Sequence, residues 1–273
     1  MHSKEEKMAA FGRLLDVQDR LRKECPWDRK QTFESLRPNT IEEVFELCDA
    51  VLKHDLKNIK KELGDVMEHV MFYSLLGAEE NSFDIADVCN QEAEKLMFRH
   101  PFIDWGEDAP KQQDGFDDKP KTATEMEQTW EQVKQKEKDG NKTVLSGVPD
   151  ALPSLIKAYR IQDKARNVGF DWEEREQVWG KVREELGELE MELNRNDKDN
   201  STRELGDFLF SVINAARLYK LNPDNALEKT NQKFIRRFGY VEKQAKQSGK
   251  ELKDMTLSDM DKLWNEAKDL EKE

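Results

Sequence analysis

The sequence predicts an all-α protein made of two tandem helical-bundle repeats, and three observations carry that prediction. Charged residues fill 38% of the 273 positions and hydrophobic ones 36%, with few glycines and prolines; this mixture suits amphipathic helices and disfavours β-rich architecture. Apolar residues recur at helical spacing along most of the chain. An acidic pattern occurs twice at one constant offset, as Glu42-Glu43-x-x-Glu46 with Glu62-Leu63-Gly64-Asp65 and as Glu184-Glu185-x-x-Glu188 with Glu204-Leu205-Gly206-Asp207. A duplicated unit explains that recurrence far better than chance does, even in an acid-rich chain.

The elements follow in order. The N-terminal stretch MHSKEEKMAAFGRLL reads as helix and has no hydrophobic leader core. An entry loop, Cys25-Pro26-Trp27-Asp28, precedes a helix whose apolar stripe is Ile41, Val44, Phe45, Cys48, Val51 and Leu52. The next helix carries Ile59, Leu63, Val66, Met67, Val70 and Met71. The acids are spaced in mirror order, Glu43 answering Asp65 and Glu46 answering Glu62, as in an antiparallel hairpin that turns near His54. A basic helix with Lys95-Leu96-Met97-Phe98-Arg99 comes next, then a polar loop over 103–121 and a helix containing Trp130-Glu131-Gln132-Val133-Lys134. Residues 139–150, with Gly140, Gly147 and Pro149, read as a linker, so the expected domains are 1–140 and 146–273.

The second unit repeats this order. Pro149 and Pro153 introduce its first helix. Val168-Gly169-Phe170-Asp171-Trp172 is its entry loop, with Asp171 matching Asp28. Val178, Val182, Leu186, Leu189 and Leu193 face Leu205, Phe208, Leu209, Val212 and Ile213 across a hairpin that turns near Asn196. Lys233-Phe234-Ile235-Arg236-Arg237 and the Trp264 helix complete the unit. Each hairpin is expected to have a core side and a charged side, as a bundle with a groove site requires.

Paired acids three residues apart share one helix face, so four carboxylates converge between two helices. Such convergence is unfavourable unless a cation sits among them. Magnesium suits an all-oxygen set, retains waters and often works with phosphates. Glu185, Glu188, Glu204 and Asp207 form the expected site, and Glu43, Glu46, Glu62 and Asp65 a possible second one. Lys181, Arg203, Lys233, Arg236 and Arg237 border the later acids and would hold an anion that also meets the metal. In the first unit Asn39, Lys61 and Phe98 stand where Lys181, Arg203 and Arg236 stand in the second. The second unit is therefore the better equipped for catalysis, the first being weaker, differently specific or structural. Gly64 and Gly206 lie inside helices at a cost of about 1 kcal/mol relative to alanine, from close helix approach, room for a ligand or a packing contact. Trp264 could stack on a base or simply pack in the core.

Other chemistries find little support. Neither a G-x-x-x-x-G-K-[ST] loop nor a G-x-G-x-x-G turn occurs. Asp197-Lys198-Asp199 opens like a calcium loop, but Thr202 and Phe208 occupy the places of its glycine and bidentate glutamate. His69 and His100 lack partners at zinc or triad spacing, and Cys25, Cys48 and Cys89 form no knuckle or disulfide pattern. A net charge of −13 argues against a nucleic-acid backbone or an anionic membrane as partner. A cytoplasmic location is expected.

These motifs together resemble the two-repeat MazG proteins, nucleoside triphosphate pyrophosphohydrolases of an all-α superfamily. The likeness runs from Cys25-Pro26-Trp27-Asp28 to Trp264 and includes Asn167-Val168-Gly169-Phe170-Asp171-Trp172. It implies cleavage of nucleoside triphosphates, ATP and deoxynucleotides among them, to monophosphate and pyrophosphate with Mg²⁺, or Mn²⁺ as a substitute. It also implies an intertwined homodimer and catalysis centred on the C-terminal repeat. Carried over by position, Glu185, Glu188, Glu204 and Asp207 hold the metal. Nucleotide contacts come from Lys181, Val182, Arg183, Glu184 and Glu185, from Asn200, Ser201, Thr202, Arg203 and Asp207, and from Lys233, Arg236, Arg237 and Trp264. The expected chemistry is attack of a metal-activated water on the α-phosphorus, with Glu184, Glu185 and Lys181 as catalytic groups and Glu184 polarising the water. The alternatives are a non-catalytic nucleotide-sensing scaffold and a diphosphatase for one specialised nucleotide.

Overall fold

A computed structural model describes residues 1–106, 122, 126 and 143–271. The Trp130–Lys134 helix, the 103–121 loop beyond 106 and the start of the 139–150 linker lie outside the described residues. The chain divides into two compact units, Met1–Lys134 and Gln135–Glu273. All the regular structure among the described residues is helical.

In the first unit, α1 (Lys4–Glu24) leads through an entry loop to α2 (Phe33–Leu52), α3 (Leu56–Glu79) and α4 (Ile85–Arg99). Caps fix the starts: Ser3 and Glu6 form a capping box on α1, and Asp55 accepts from the amides of Lys57 and Asn58 on α3. The α2–α3 hairpin turns at His54, whose φ of 53° closes the helix in the left-handed region. Its core joins Leu36, Phe72 and Leu76, with Phe33 and Tyr73 against them.

In the second unit, α5 (Ser154–Arg166) follows Pro153, and an entry loop leads to α6 (Val178–Asn194) and α7 (Lys198–Leu218). That hairpin turns at Asn196, φ 57°, and Asp197 caps α7 through Asn200 as Asp55 caps α3 through Asn58. Val178, Val182 and Ala215 form its core, flanked by Phe208 and Leu218. A second hairpin packs α8 (Pro223–Gln247) against α9 (Leu257–Leu270).

An arginine fastens each entry loop. Arg22 of α1 donates to the backbone carbonyls of Asp28 and Gln31 and pairs with Glu79. In the second unit Arg217 of α7 reaches back to Asp171 at 2.5 and 3.0 Å and also holds Asn214. The two arginines sit at different places in their units, yet each fixes the loop just ahead of an acid-bearing helix.

One expectation requires correction. The apolar stripes were expected to be core, yet Phe45 and Val51 are 56% and 55% exposed, and Leu63, Met67, Leu186, Leu205 and Leu209 also face solvent. Helical period identifies which side chains are apolar; it does not supply the surface that covers them. Gly64 and Gly206 differ too from a close-approach role, since a Cβ at either would meet nothing within 4 Å.

Candidate metal and nucleotide site

The hairpin geometry brings three of the four expected acids of the second set, Glu185, Glu204 and Asp207, together across two helices, while Glu188 groups only with Glu184 and Glu185 of its own helix. Oxygen atoms of Glu185, Glu204 and Asp207 lie within 4.8 Å of one another, as do those of Glu184, Glu185 and Glu188. Glu185 is therefore common to both groups, and it is the buried one, 7% exposed. Its burial is compensated by Lys181 one helical turn earlier, whose ammonium lies 2.5 Å from Glu185 and 2.8 Å from Glu184. Those two carboxylates raise the Lys181 pKa, so the cation persists across neutral pH.

The acids repel each other. Glu204 is held above the ordinary value of 4.5, first by desolvation and then by Glu188, Asp207, Glu185 and Glu192. The folded form thus binds a proton at Glu204 more tightly than the unfolded form. Its contribution turns unfavourable as pH rises past 4.5 and stays so at neutrality. Glu204→Gln is accordingly expected to raise the melting temperature of metal-free protein at about pH 7.5 but not near pH 4. The same variant should show a smaller melting-temperature gain on Mg²⁺ addition than the parent, measured by differential scanning fluorimetry. An unchanged response to both would contradict this electrostatic account.

The first unit repeats the arrangement with a different balance. Glu43, Glu62 and Asp65 come within 4.8 Å of one another, whereas Glu46, more exposed, falls outside that group. Here the buried acid is Glu62 on the second helix, and its lysine is Lys61. Glu43 is held above its usual value by desolvation first, then by Asp65, Glu46 and Glu62, with His69 opposing them. His69 is not without partners, because its Nδ1 lies 2.8 Å from Thr40 Oγ1, which also meets Tyr73 at 2.7 Å. Thr40 lies one turn before Glu43 and His69 one turn after Asp65, so helical spacing from the acids could have revealed this network.

The expected nucleotide residues separate into three places. Lys181, Glu184 and Glu185 stand with the acids, and Arg203, exposed on α7, donates to Asn200 at 3.4 Å. Ser201 and Thr202 instead line a groove of about 430 Å³ with Leu189, Leu193, Asn196, Lys198 and Leu205. Arg236 and Arg237 converge on Glu271, Arg237 through bonds of 2.8 and 2.6 Å, and Arg237 also lies over the ring of Trp264. Trp264 packs on Phe234 at 5.0 Å between ring centres, joining α8 to α9. Lys233 is exposed on α8. Arg183 is exposed and reaches the Trp179 carbonyl. Val182 is a correction: its side chain is buried against Val178 and Ala215, because one step along the helix from Lys181 turns it toward the core.

An all-carboxylate donor set spread over two rigid helices fits a hard divalent cation, with Lys181 and Arg203 at its edge to meet anionic oxygens. Comparison with known proteins agrees with that chemistry. A family profile described as the MazG nucleotide pyrophosphohydrolase domain matches residues 31–103 and again 174–241. The chain is 35% identical over 268 residues to a nucleoside triphosphate pyrophosphohydrolase of Escherichia coli, covering 96% of this chain and 98% of that one. It is 36% identical to the nucleoside triphosphate pyrophosphohydrolase/pyrophosphatase MazG of Thermotoga maritima, over 94% and 95% of the two chains. It also shares 41% identity with the uncharacterised protein YabN of Bacillus subtilis, over 91% of this chain and 49% of YabN.

Proposed function

The chain belongs to the MazG nucleotide pyrophosphohydrolase family, and from that premise we propose that it hydrolyses nucleoside triphosphates, deoxynucleotides included, to monophosphate and pyrophosphate. The observation that carries the reading is the convergence of Glu185, Glu204 and Asp207 between α6 and α7, with Lys181 at their rim. Glu185, Glu188, Glu204 and Asp207 would hold Mg²⁺, with Mn²⁺ as a substitute. When bound, the ion supplies charge neutralisation for the phosphates and acidifies water.

The chain's own groups have separable tasks. Glu184 is exposed at the rim, where it accepts a bond from Lys181, so it can orient a water for attack at the α-phosphorus and accept its proton. Lys181 balances charge on the phosphate oxygens once substrate competes for its ammonium. Arg203, free to swing from Asn200 because it is exposed, serves the leaving pyrophosphate in the same way. Positioning and fixed charge carry the rate, as is general in phosphoryl chemistry. Lys233, Arg236, Arg237 and Trp264 contribute to nucleotide binding after Arg237 exchanges Glu271 for the substrate.

The exposed stripes favour an intertwined homodimer: Leu186, Leu205 and Leu209 on the second hairpin, and Leu63, Met67 and Val70 on the first, are 39–51% exposed. Sedimentation is expected to give twice the chain mass of 32.0 kDa. The reading places the enzyme in the cytoplasm, where its three free cysteines stay reduced. Among the described residues no helix is long and apolar enough to cross a membrane.

The test is product analysis. Purified protein incubated with Mg²⁺ and a panel of ribo- and deoxynucleoside triphosphates is expected to yield equal amounts of monophosphate and pyrophosphate. Release of diphosphate and orthophosphate, or unchanged substrate across the panel, would overturn the proposal.

A further inference from the structure

The two acid sets differ most in what their basic residues do. In the second unit Lys181 pairs with two acids of its own helix, Glu184 and Glu185, and among the described residues makes no ion pair with Glu204 or Asp207 on the facing helix. Arg203, which precedes Glu204, turns away to Asn200. In the first unit Lys61 takes the place of Arg203 and turns the other way. Its ammonium lies 3.0 and 3.2 Å from the two oxygens of Glu62, 3.5 Å from Asp65 and 3.9 Å from Glu46. It thereby pairs with acids of both helices, with Glu62 and Asp65 of α3 and, at longer range, with Glu46 of α2.

We propose that Lys61 is the resident cation of the first acid set, spanning the two helices in the place of a divalent ion and suppressing metal binding in the first unit. This deepens the functional reading above and rests on it, since it takes the second unit as the one that binds metal.

The physical basis is local. Three carboxylates around one ammonium relieve part of the repulsion that would otherwise call for a metal, and a tethered charge needs no association step. An arriving divalent ion must either displace the ammonium or bear its repulsion at a few ångströms. Arginine at the equivalent place has a planar head with fixed donor directions, which here finds an amide oxygen instead of the acids. Duplication has thus left one acid set open and one closed by a single side chain.

The experiment uses the full-length chain stripped of metal, with Mn²⁺ alone as probe and binding read from the electron paramagnetic resonance signal of free Mn²⁺. A background variant, Glu185→Gln with Asp207→Asn, removes the second set. Adding Lys61→Met to that background is expected to tighten Mn²⁺ binding at least ~10-fold, the scale set by removing a unit charge a few ångströms from the ion. The gain should vanish when Glu62→Gln is added. Lys61→Gln is the second variant and should behave as Lys61→Met does. The Lys61 side chain is 61% exposed, so both should fold, and circular dichroism checks that they do. Unchanged affinity in both variants, with native spectra, would overturn the role given to Lys61. Failure of the second-unit reading has a separate signature, namely equal Mn²⁺ binding by the parent chain and the background variant.

Discussion

Glu185→Gln is expected to lower pyrophosphate release by ~10²–10³-fold or more while the protein remains folded. Glu185 is the buried member of its set, it belongs to both carboxylate groups, and it is the nearest partner of Lys181. Glutamine preserves the shape and can still accept a bond from Lys181, but it removes the charge that would hold the cation. The loss should therefore appear in kcat with Mg²⁺ and should not be recovered by more nucleotide. Melting in metal-free buffer should stay near that of the parent, because removing a charge from a repelling cluster offsets the weakened pairing with Lys181. A fully active variant would remove Glu185 from the site.

The largest stability effect is expected at Arg217. Its side chain is 4% exposed, and it meets Asp171 through two bonds that tie the entry loop to the far part of α7. Arg217→Ala leaves Asp171, itself 19% exposed, without its cation, and breaking a buried pair on one side costs about 3–5 kcal/mol. The loop it releases leads directly into α6, which carries Lys181 through Glu188, so activity should fall along with stability. Replacing both partners, Asp171→Leu with Arg217→Met, should recover a good part of the loss, because the uncompensated charge is then gone. Urea denaturation followed by circular dichroism measures both effects. If Arg217→Ala unfolds at the same midpoint as the parent, the entry loop is held by something else.

The hairpins were legible in the sequence because their evidence was periodic and repeated. Mirror spacing of acids located both turns, and the structure places left-handed residues there, His54 and Asn196. The convergence of Glu185, Glu204 and Asp207 followed from the same spacing. Less legible was everything that depends on where a long side chain goes. Lys61 and Arg203 occupy equivalent positions, yet one pairs with the acids and the other turns to Asn200. Asp171 stood out as a repeat of Asp28, but no spacing signal joined it to Arg217, because the two units use arginines from different helices. Val182 was grouped with its charged neighbours by adjacency, whereas the helix turns it inward. The exposed Leu63, Met67, Leu186 and Leu205 show the same limit, since an apolar period reveals a face that needs cover without showing what provides it.

The most direct test is a crystal structure with Mn²⁺ and a non-hydrolysable nucleoside triphosphate analogue, read from the anomalous signal of the metal. The predicted result is a peak between α6 and α7 within bonding distance of Glu185, Glu204 and Asp207, with the analogue's phosphates on its open side. A peak confined to the α2–α3 hairpin, or nucleotide bound with no metal at those carboxylates, would contradict it.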